Sequence, residues 1–389
     1  MDLFMKSSVF INLIFLLLHK QKTKYISIFI LATLTIFLLS TVIFIKSSLQ
    51  NEILKTLESH NDFIIQKEFG GRIFDIENQL EDRLKNIYGV KNITKRVYGR
   101  YKFLSEDVYF TIIGVDFSNL NKELKNLGLQ NISNDEMIVG FEVDNLLKKY
   151  KYTNYYDFFL PNKEIKKVKI AKVLEKESNI ISSDIIILDI NLARDILGVN
   201  RDFSTNIAFD VPNELERANI KQKLQRLDLD LNIIQKEDIL KKYETIFNYK
   251  GGVFLILYLV VLFAFIMILY QRYSQVSINE RKQIAIFKAI GYSVRDIIKI
   301  KMSENFVVAF VSYLIGVLLA YFFVFILNAP ILKNIFIDFS NIKNDFIIYP
   351  YIEFSTFVTL FLFFMVLFLS SVLIPVWKIS AINPYESLR

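Results

Sequence analysis

Four stretches of this chain carry no charged side chain: Ile26–Ile45, Val253–Tyr270, Phe306–Leu327 and Phe354–Ile374. A helix needs about 20 residues to cross the hydrocarbon core of a bilayer. Inside that core the backbone has no water to bond to, so a spanning segment must satisfy its own amides and carbonyls, as a helix does. The second stretch is the shortest and can borrow Gly251-Gly252 or the Gln271 end. One such run would fit a buried core helix equally well. Four of them, in a chain of 389 residues with 36 phenylalanines and 53% hydrophobic side chains, do not fit an ordinary soluble protein.

Charge distribution orients the spans. The chain has a net charge of +7, yet residues 46–252 hold 32 Lys and Arg against 32 Asp and Glu. The excess lies elsewhere: Met1–Tyr25 carries +3 and Gln271–Asn305 carries +4, while Asn328–Glu353 carries −1 and the tail from Pro375 carries +1. Lys and Arg near the ends of spans favour the cytoplasm. The N-terminus (1–25), the stretch 271–305 and the tail (375–389) are therefore expected inside, and residues 46–252 and 328–353 outside. The basic balance reflects membrane topology and gives no reason to expect nucleic acid. With no cysteine, the outward segment has no disulfides and must rely on its own core, which about 200 residues suffice to build.

Val9–Leu18 is a ten-residue apolar run followed by HKQKTK. It resembles a signal peptide but has no small-residue cleavage site after it, and an interfacial helix ahead of the first span is the expectation. In the outward segment, Phe74–Tyr88 reads as an amphipathic helix. Val108–Phe117, Glu136–Val143, Val168–Val173, Ser183–Ile190 and Thr205–Val211 read as strands rich in Ile, Val, Phe and Tyr. Asn191–Leu197 and Asn213–Leu227 read as helices. The expected fold class is an α-helical membrane protein with four transmembrane helices plus an α+β extracytoplasmic domain between the first and second spans. Gln235–Asn248 is polar and helix-prone and leads into the second span; a continuous stalk (235–250) and a linker loosened at Gly251-Gly252 both remain open. In the third span, Gly316 and Ala320 form a small-xxx-small pair that permits close helix packing, within this chain or against a second one.

Between the second and third spans lies SINERKQIAIFKAIGYSVRDIIKIKMSEN, Ser277–Asn305. Ser277 and Glu280 have capping-box spacing, and Ser293 and Asp296 repeat it. Ile284, Phe287 and Ile290 recur at helical spacing, with Arg281 and Lys288 on a charged face, and Gly291 ends the first helix. The stretch is a helix–break–helix with one apolar and one basic face at a membrane surface. An ordinary positive-inside loop is the plainer reading.

The wording of this stretch, Glu280-Arg281 leading to Ile284, then Lys288-Ala289-Ile290-Gly291, Ile297-Ile298 and Glu304, resembles the cytoplasmic segment of MacB/LolC/LolE/FtsX-type ABC transporter permeases. The tail PVWKISAINPYESLR, through Pro375, Pro384, Glu386, Leu388 and Arg389, matches that family's second motif. Gln283, Ala285 and Asn383 depart from the usual Glu, Gly and Asp. The resemblance implies a bacterial cytoplasmic (inner) membrane protein with a two-part periplasmic domain, its outer insert near residues 101–172. It implies stalks after Lys46 and before the second span, and a coupling element (271–305) that meets a separate ABC ATPase dimer. Other implied partners are a second permease copy or homologue and a periplasmic or outer-membrane protein.

The missing chemistry narrows the function. No G-x-x-x-x-G-K-[ST] sequence occurs, so no cofactor is expected on this chain and ATP with Mg²⁺ belongs to the partner ATPase. The histidines are His19 and His60; a metal site on Glu58, His60 and Asp62 is conceivable, but one histidine with two flanking acids reads as a solvated turn, and no metal site is expected. With no charge inside a span, no proton relay is expected. The expectation is a transporter subunit, not an enzyme, that turns ATP hydrolysis elsewhere into movement of its outward domain. Lipoprotein export and MacB-like efflux both suit a domain of this size. An uptake partner, or an FtsX-like regulator or sensor without transport, is the alternative.

Overall fold

The computed structural model describes residues 7–58, 60–117, 132–174, 184–227, 230–275, 278–336 and 347–381. Their contacts divide them into two compact units. One comprises the described residues of Met1–Ser48, Asn248–Ala329 and Ile348–Arg389, and the other those of Leu49–Phe247 and Pro330–Ile347. The chain opens with α1 (Ser7–Lys20) and α2 (Lys22–Glu58). Then come β1 (Phe63–Phe69), β2 (Arg72–Phe74), β3 (Ile76–Glu77), α3 (Gln79–Lys85), β4 (Lys91–Phe103) and β5 (Val108–Val115). The next group is β6 (Glu136–Val139), α4 (Phe141–Lys149), β7 (Tyr155–Phe159), β8 (Ile165–Val173), β9 (Ile185–Asp189) and α5 (Ile190–Leu197). After β10 (Phe203–Ser204), β11 (Asn206–Asp210), α6 (Glu214–Leu227) and β12 (Leu231–Gln235), the chain returns to long helices. These are α7 (Lys236–Ser274), α8 (Ile278–Ala289) and α9 (Val294–Tyr321), which ends in a π-helical turn (Phe322–Ile326); a short α10 (Leu332–Phe336) precedes α11 (Phe354–Ala381).

Among the described residues, α2, α7, α9 with its π turn, and α11 are the helices long and apolar enough to cross a membrane. Each contains one of the four uncharged stretches, the third except for its last residue, Leu327. Gly251 and Gly252 lie within α7 and do not interrupt it. Gly316 makes possible the close approach of α9 to α2: a Cβ there would lie 3.0 Å from the Thr33 carbonyl oxygen and would overlap the Ile36 side chain. Ala320 is fully buried one turn on. Phe44 of α2 packs against Phe325 of the π turn and Phe357 of α11, with both ring centroids at 6.0 Å. The Tyr313 hydroxyl of α9 donates to the Phe357 carbonyl at 2.8 Å.

The second unit is built on one mixed sheet in the order β12-β1-β11-β4-β5-β9-β6-β8-β7, with β2 paired to β1. The first five strands pair antiparallel, β9 joins β5 in parallel, and β6 joins β8 in parallel. Two cores cover it. Phe63, Ile65, Leu84, Phe209 and Leu224 form one under α3 and α6. Phe103, Phe110, Leu147, Phe158, Leu188 and Ile196 belong to the other, which runs from Val97 to Ile196 under α4 and α5. This second core extends past the 101–172 insert read from the sequence.

Local differences from the sequence reading have plain causes. The helix expected at Phe74–Tyr88 shrinks to α3. Ile76 is drawn into a strand pair with Ser204, and Asn78 hydrogen-bonds to Ser204 and to the Arg201 carbonyl. The run Glu136–Val143 is strand only to Val139. Gly140 starts α4, which turns Val143 and Leu147 into the core. At Gly114 of β5 the sheet lies so close to α5 that a Cβ would come 2.4 Å from that of Ala193. Gly114→Ala is expected to destabilise this unit by ~2 kcal/mol through overpacking, measured by thermal unfolding of the detergent-solubilised chain against wild type.

Candidate functional site: a fastened helix pair between the second and third spans

The helix–break–helix element forms in detail. The Gly291 amide bonds back to the Lys288 carbonyl and the Tyr292 amide to the Phe287 carbonyl, both at 3.0 Å. This is the paired closure of a Schellman motif. It requires the left-handed backbone of Gly291, φ +100°, where a side chain would be strained. The rings of Phe287 and Tyr292 meet at 5.4 Å and complete the motif's apolar contact. Ser293 then caps α9, and Asp296 returns the hydrogen bond to the Ser293 amide at 3.0 Å. This capping box is as the spacing predicts; Ser277 of the other box lies outside the described residues.

The faces of α8 divide differently from the sequence pattern. Glu280, Gln283, Ile284 and Ala285 are buried, and Phe287 and Lys288 half-buried. Arg281, Lys282 and Ile286 are exposed, as is Ile290 just beyond the helix end. The apolar stripe Ile284–Phe287–Ile290 is therefore split, because the helix turns inward on its polar residues Glu280 and Gln283. Arg295 and Lys299 are exposed at the start of α9 and continue the basic surface.

Behind α8 lies a buried polar cluster. Lys24 of α2 donates to Glu280 at 2.7 Å, and its ammonium sits 4.3 Å from the centroid of the Tyr273 ring of α7. Gln21, in the turn before α2, donates to Gln283 at 3.1 Å. Glu304 of α9 has no exposed surface; it accepts from Lys301 at 2.9 Å and from the Tyr25 hydroxyl. Tyr273 donates to Asn305, whose amide bonds back to the Lys301 carbonyl at 2.8 Å. Two lysines and two glutamates thus cancel in charge, which lets them be buried at all. Lys24, Tyr273, Glu280, Lys301 and Ser380 of α11 also line a small cavity with room for about one water molecule. The buried Ser380 hydroxyl has no partner among the described residues.

Pro375 is buried inside α11; Pro384, Glu386, Leu388 and Arg389 lie outside the described residues. Near the first strand, His60 Nδ1 lies 3.0 Å from the Thr56 carbonyl. The Asp62 carboxylate takes up Arg217 at 2.8 Å and the Val211 amide at 2.9 Å. No three metal-binding side chains are gathered among the described residues.

Residues 253–384, the segment holding α8, the buried half of the cluster and three of the four long helices, match the family model described as FtsX-like permease C-terminal. Over that segment the chain is similar to the FtsX-like permeases, the MacB/LolC/FtsX type that the two sequence motifs resemble. Among solved structures, the periplasmic region of MacB from Actinobacillus actinomycetemcomitans aligns at 11% identity and a TM-score of 0.32, covering 49% of this chain and 97% of that one. The extracellular domain of the noncanonic ABC-type transporter YknZ from Gram-positive bacteria aligns at 11% identity and a TM-score of 0.29, covering 45% of this chain and all of that one. A comparison with curated proteins finds no match.

The polar partners of this permease element escaped the sequence reading. Lys24 and Tyr25 look like the basic flank of a span, and Lys301 and Asn305 like the end of a solvated loop. The available signal was the i,i+3 pair Lys301 and Glu304 set directly against the uncharged run from Phe306. Glu304→Ala is expected to destabilise the helical unit by roughly 3–5 kcal/mol, since it leaves the Lys301 charge buried without its partner. In detergent thermostability measurements, Lys301→Met combined with Glu304→Leu should recover most of that loss.

Proposed function

We propose that this chain is the membrane subunit of an ABC system that works mechanically outside the membrane, driven by a separate ATPase dimer docked on α8 and the start of α9. The termini and this element face the cytoplasm in this reading, as the basic flanks favour, and the α+β unit faces outward. The observation that carries the reading is the helix–Gly291–helix element within the family match. One of its sides is fastened into the helical unit, while Arg281, Lys282, Ile286, Arg295 and Lys299 remain exposed on the other. Exposed cations around an isoleucine suit a partner groove with acidic rims and an apolar floor. Closure of the ATPase around ATP and Mg²⁺ moves the element, and the long helices α2 and α7 carry that motion toward the outward unit. Lipoproteins or other envelope molecules are the class of cargo, and a second permease, identical or homologous, completes the pair. Periplasmic or outer-membrane partners would receive the cargo.

Two variants test the docking face. Gly291→Val forces a β-branched side chain into a left-handed backbone, and Arg281→Glu with Lys288→Glu reverses charge on the docking element. Each is expected to lower permease-stimulated ATP hydrolysis about tenfold or more, with membrane insertion unchanged by fractionation. Full stimulation in both would overturn the docking assignment.

A further inference from the structure

We infer that the docking element passes its movement first to α2, through a two-point joint made by Lys24–Glu280 and Gln21–Gln283. The inference rests on the docking reading and adds to it a route and the residues that form it.

The covalent connections alone would suggest another route. α8 follows α7 and precedes α9 in the chain, so pulling on it would seem to act on those two helices. The side chains connect it elsewhere. Glu280 and Gln283 sit one turn apart on the inward face of α8, and their partners sit three residues apart, Lys24 in the first turn of α2 and Gln21 in the turn just before it. These contacts bridge separations of 256 and 262 residues. Two such contacts fix both the position and the rotation of one helix against the other, whereas a single contact would leave a pivot. The Lys24–Glu280 pair is largely buried, with 14% and 10% of the two side chains exposed. A buried ion pair is a poor way to gain stability compared with packed apolar side chains, and is best suited to holding a specific register. Lys24 also lies over the Tyr273 ring at the end of α7. The same ammonium therefore senses two helices, but its charge is neutralised by α8. From Lys22 to Glu58, α2 is one unbroken helix, and a movement imposed at Lys24 has no break within it to absorb it.

The expected behaviour follows from the charges. Removing either partner breaks the buried ion pair, so α8 should let go of α2 while its outward face stays intact. Exchanging the charges, Lys24→Glu with Glu280→Lys, should restore the joint. Lys24 and Glu280 act as positioning residues, since neither faces the exposed side of the element.

The test has two arms. In the first, the full chain alone is followed by hydrogen–deuterium exchange. In Lys24→Met and Glu280→Gln, amides of residues 22–30 and 278–289 should exchange about tenfold faster, with the charge exchange reversing most of the change and Arg281→Glu leaving both segments unchanged. Unaltered protection in both single variants would overturn the joint. In the second arm, the same variants are purified with the ATPase that wild type retains. Each single variant should keep the ATPase bound but lose about tenfold of its stimulated hydrolysis, and the charge exchange should regain it. Full stimulation in single variants that fail the first arm would overturn the route through α2. If wild type retains no ATPase, the docking reading falls, and the first arm still decides the joint.

Discussion

A lysine at the start of the first long helix and a glutamate in the helix between the second and third meet in a largely buried ion pair at 2.7 Å. The arrangement around them depends on that pair being matched. Burial of either charge alone would cost several kcal/mol, so Lys24 and Glu280 must be delivered together, as must Lys301 and Glu304. This requirement sets the register of α8 against α2. It also forces the polar face of α8 inward, which leaves Ile286 and Ile290 outside with the basic residues. The Schellman closure at Gly291 and the cap at Ser293 then fix the angle at which the chain enters α9. The exposed surface of the element is in this sense a consequence of its buried one.

In the helical unit, the same logic of paired features at close quarters recurs without charge. Gly316 gives α9 and α2 room to approach, and the Ser312 hydroxyl bonds to the Phe29 carbonyl at 3.4 Å. In hydrocarbon there is no hydrophobic gain from helix association, and small residues with a few interhelical hydrogen bonds are what hold helices together. The α+β unit relies on the opposite principle, apolar cores packed on one sheet, which is how it manages without disulfides. Arg217 ties together the chain just after α2 and the first turn of α7, by reaching Asp62 and Glu237 at 2.8 and 2.6 Å.

How much of this was legible in the sequence depended on the range of the interaction. The four uncharged runs, the left-handed glycine at 291 and the Ser293–Asp296 box are local, and the sequence reads them directly. Strands such as β9 and β11 announce themselves by runs of Ile, Val and Phe. β4 does not, because its KNITKRVYGRYKF alternates polar with apolar side chains and is interrupted by Gly99, a position that lets it approach Leu197. The helix expected over Phe74–Tyr88 was overridden by pairing with Ser204, far along the chain. The polar cluster is the extreme case. Gln21, Lys24 and Tyr25 are ordinary flanking residues until two helices more than 250 residues away supply their partners, and no local pattern encodes that.

In the proposed function a separate ATPase works this chain from the side of α8. The most direct measurement is to tag the full chain, extract it gently from native membranes, identify what co-purifies and assay ATP hydrolysis in the same sample. The prediction is a stoichiometric ABC ATPase with measurable hydrolysis. A chain that emerges alone and inactive under several mild conditions would contradict it and favour a membrane-bound sensor or scaffold.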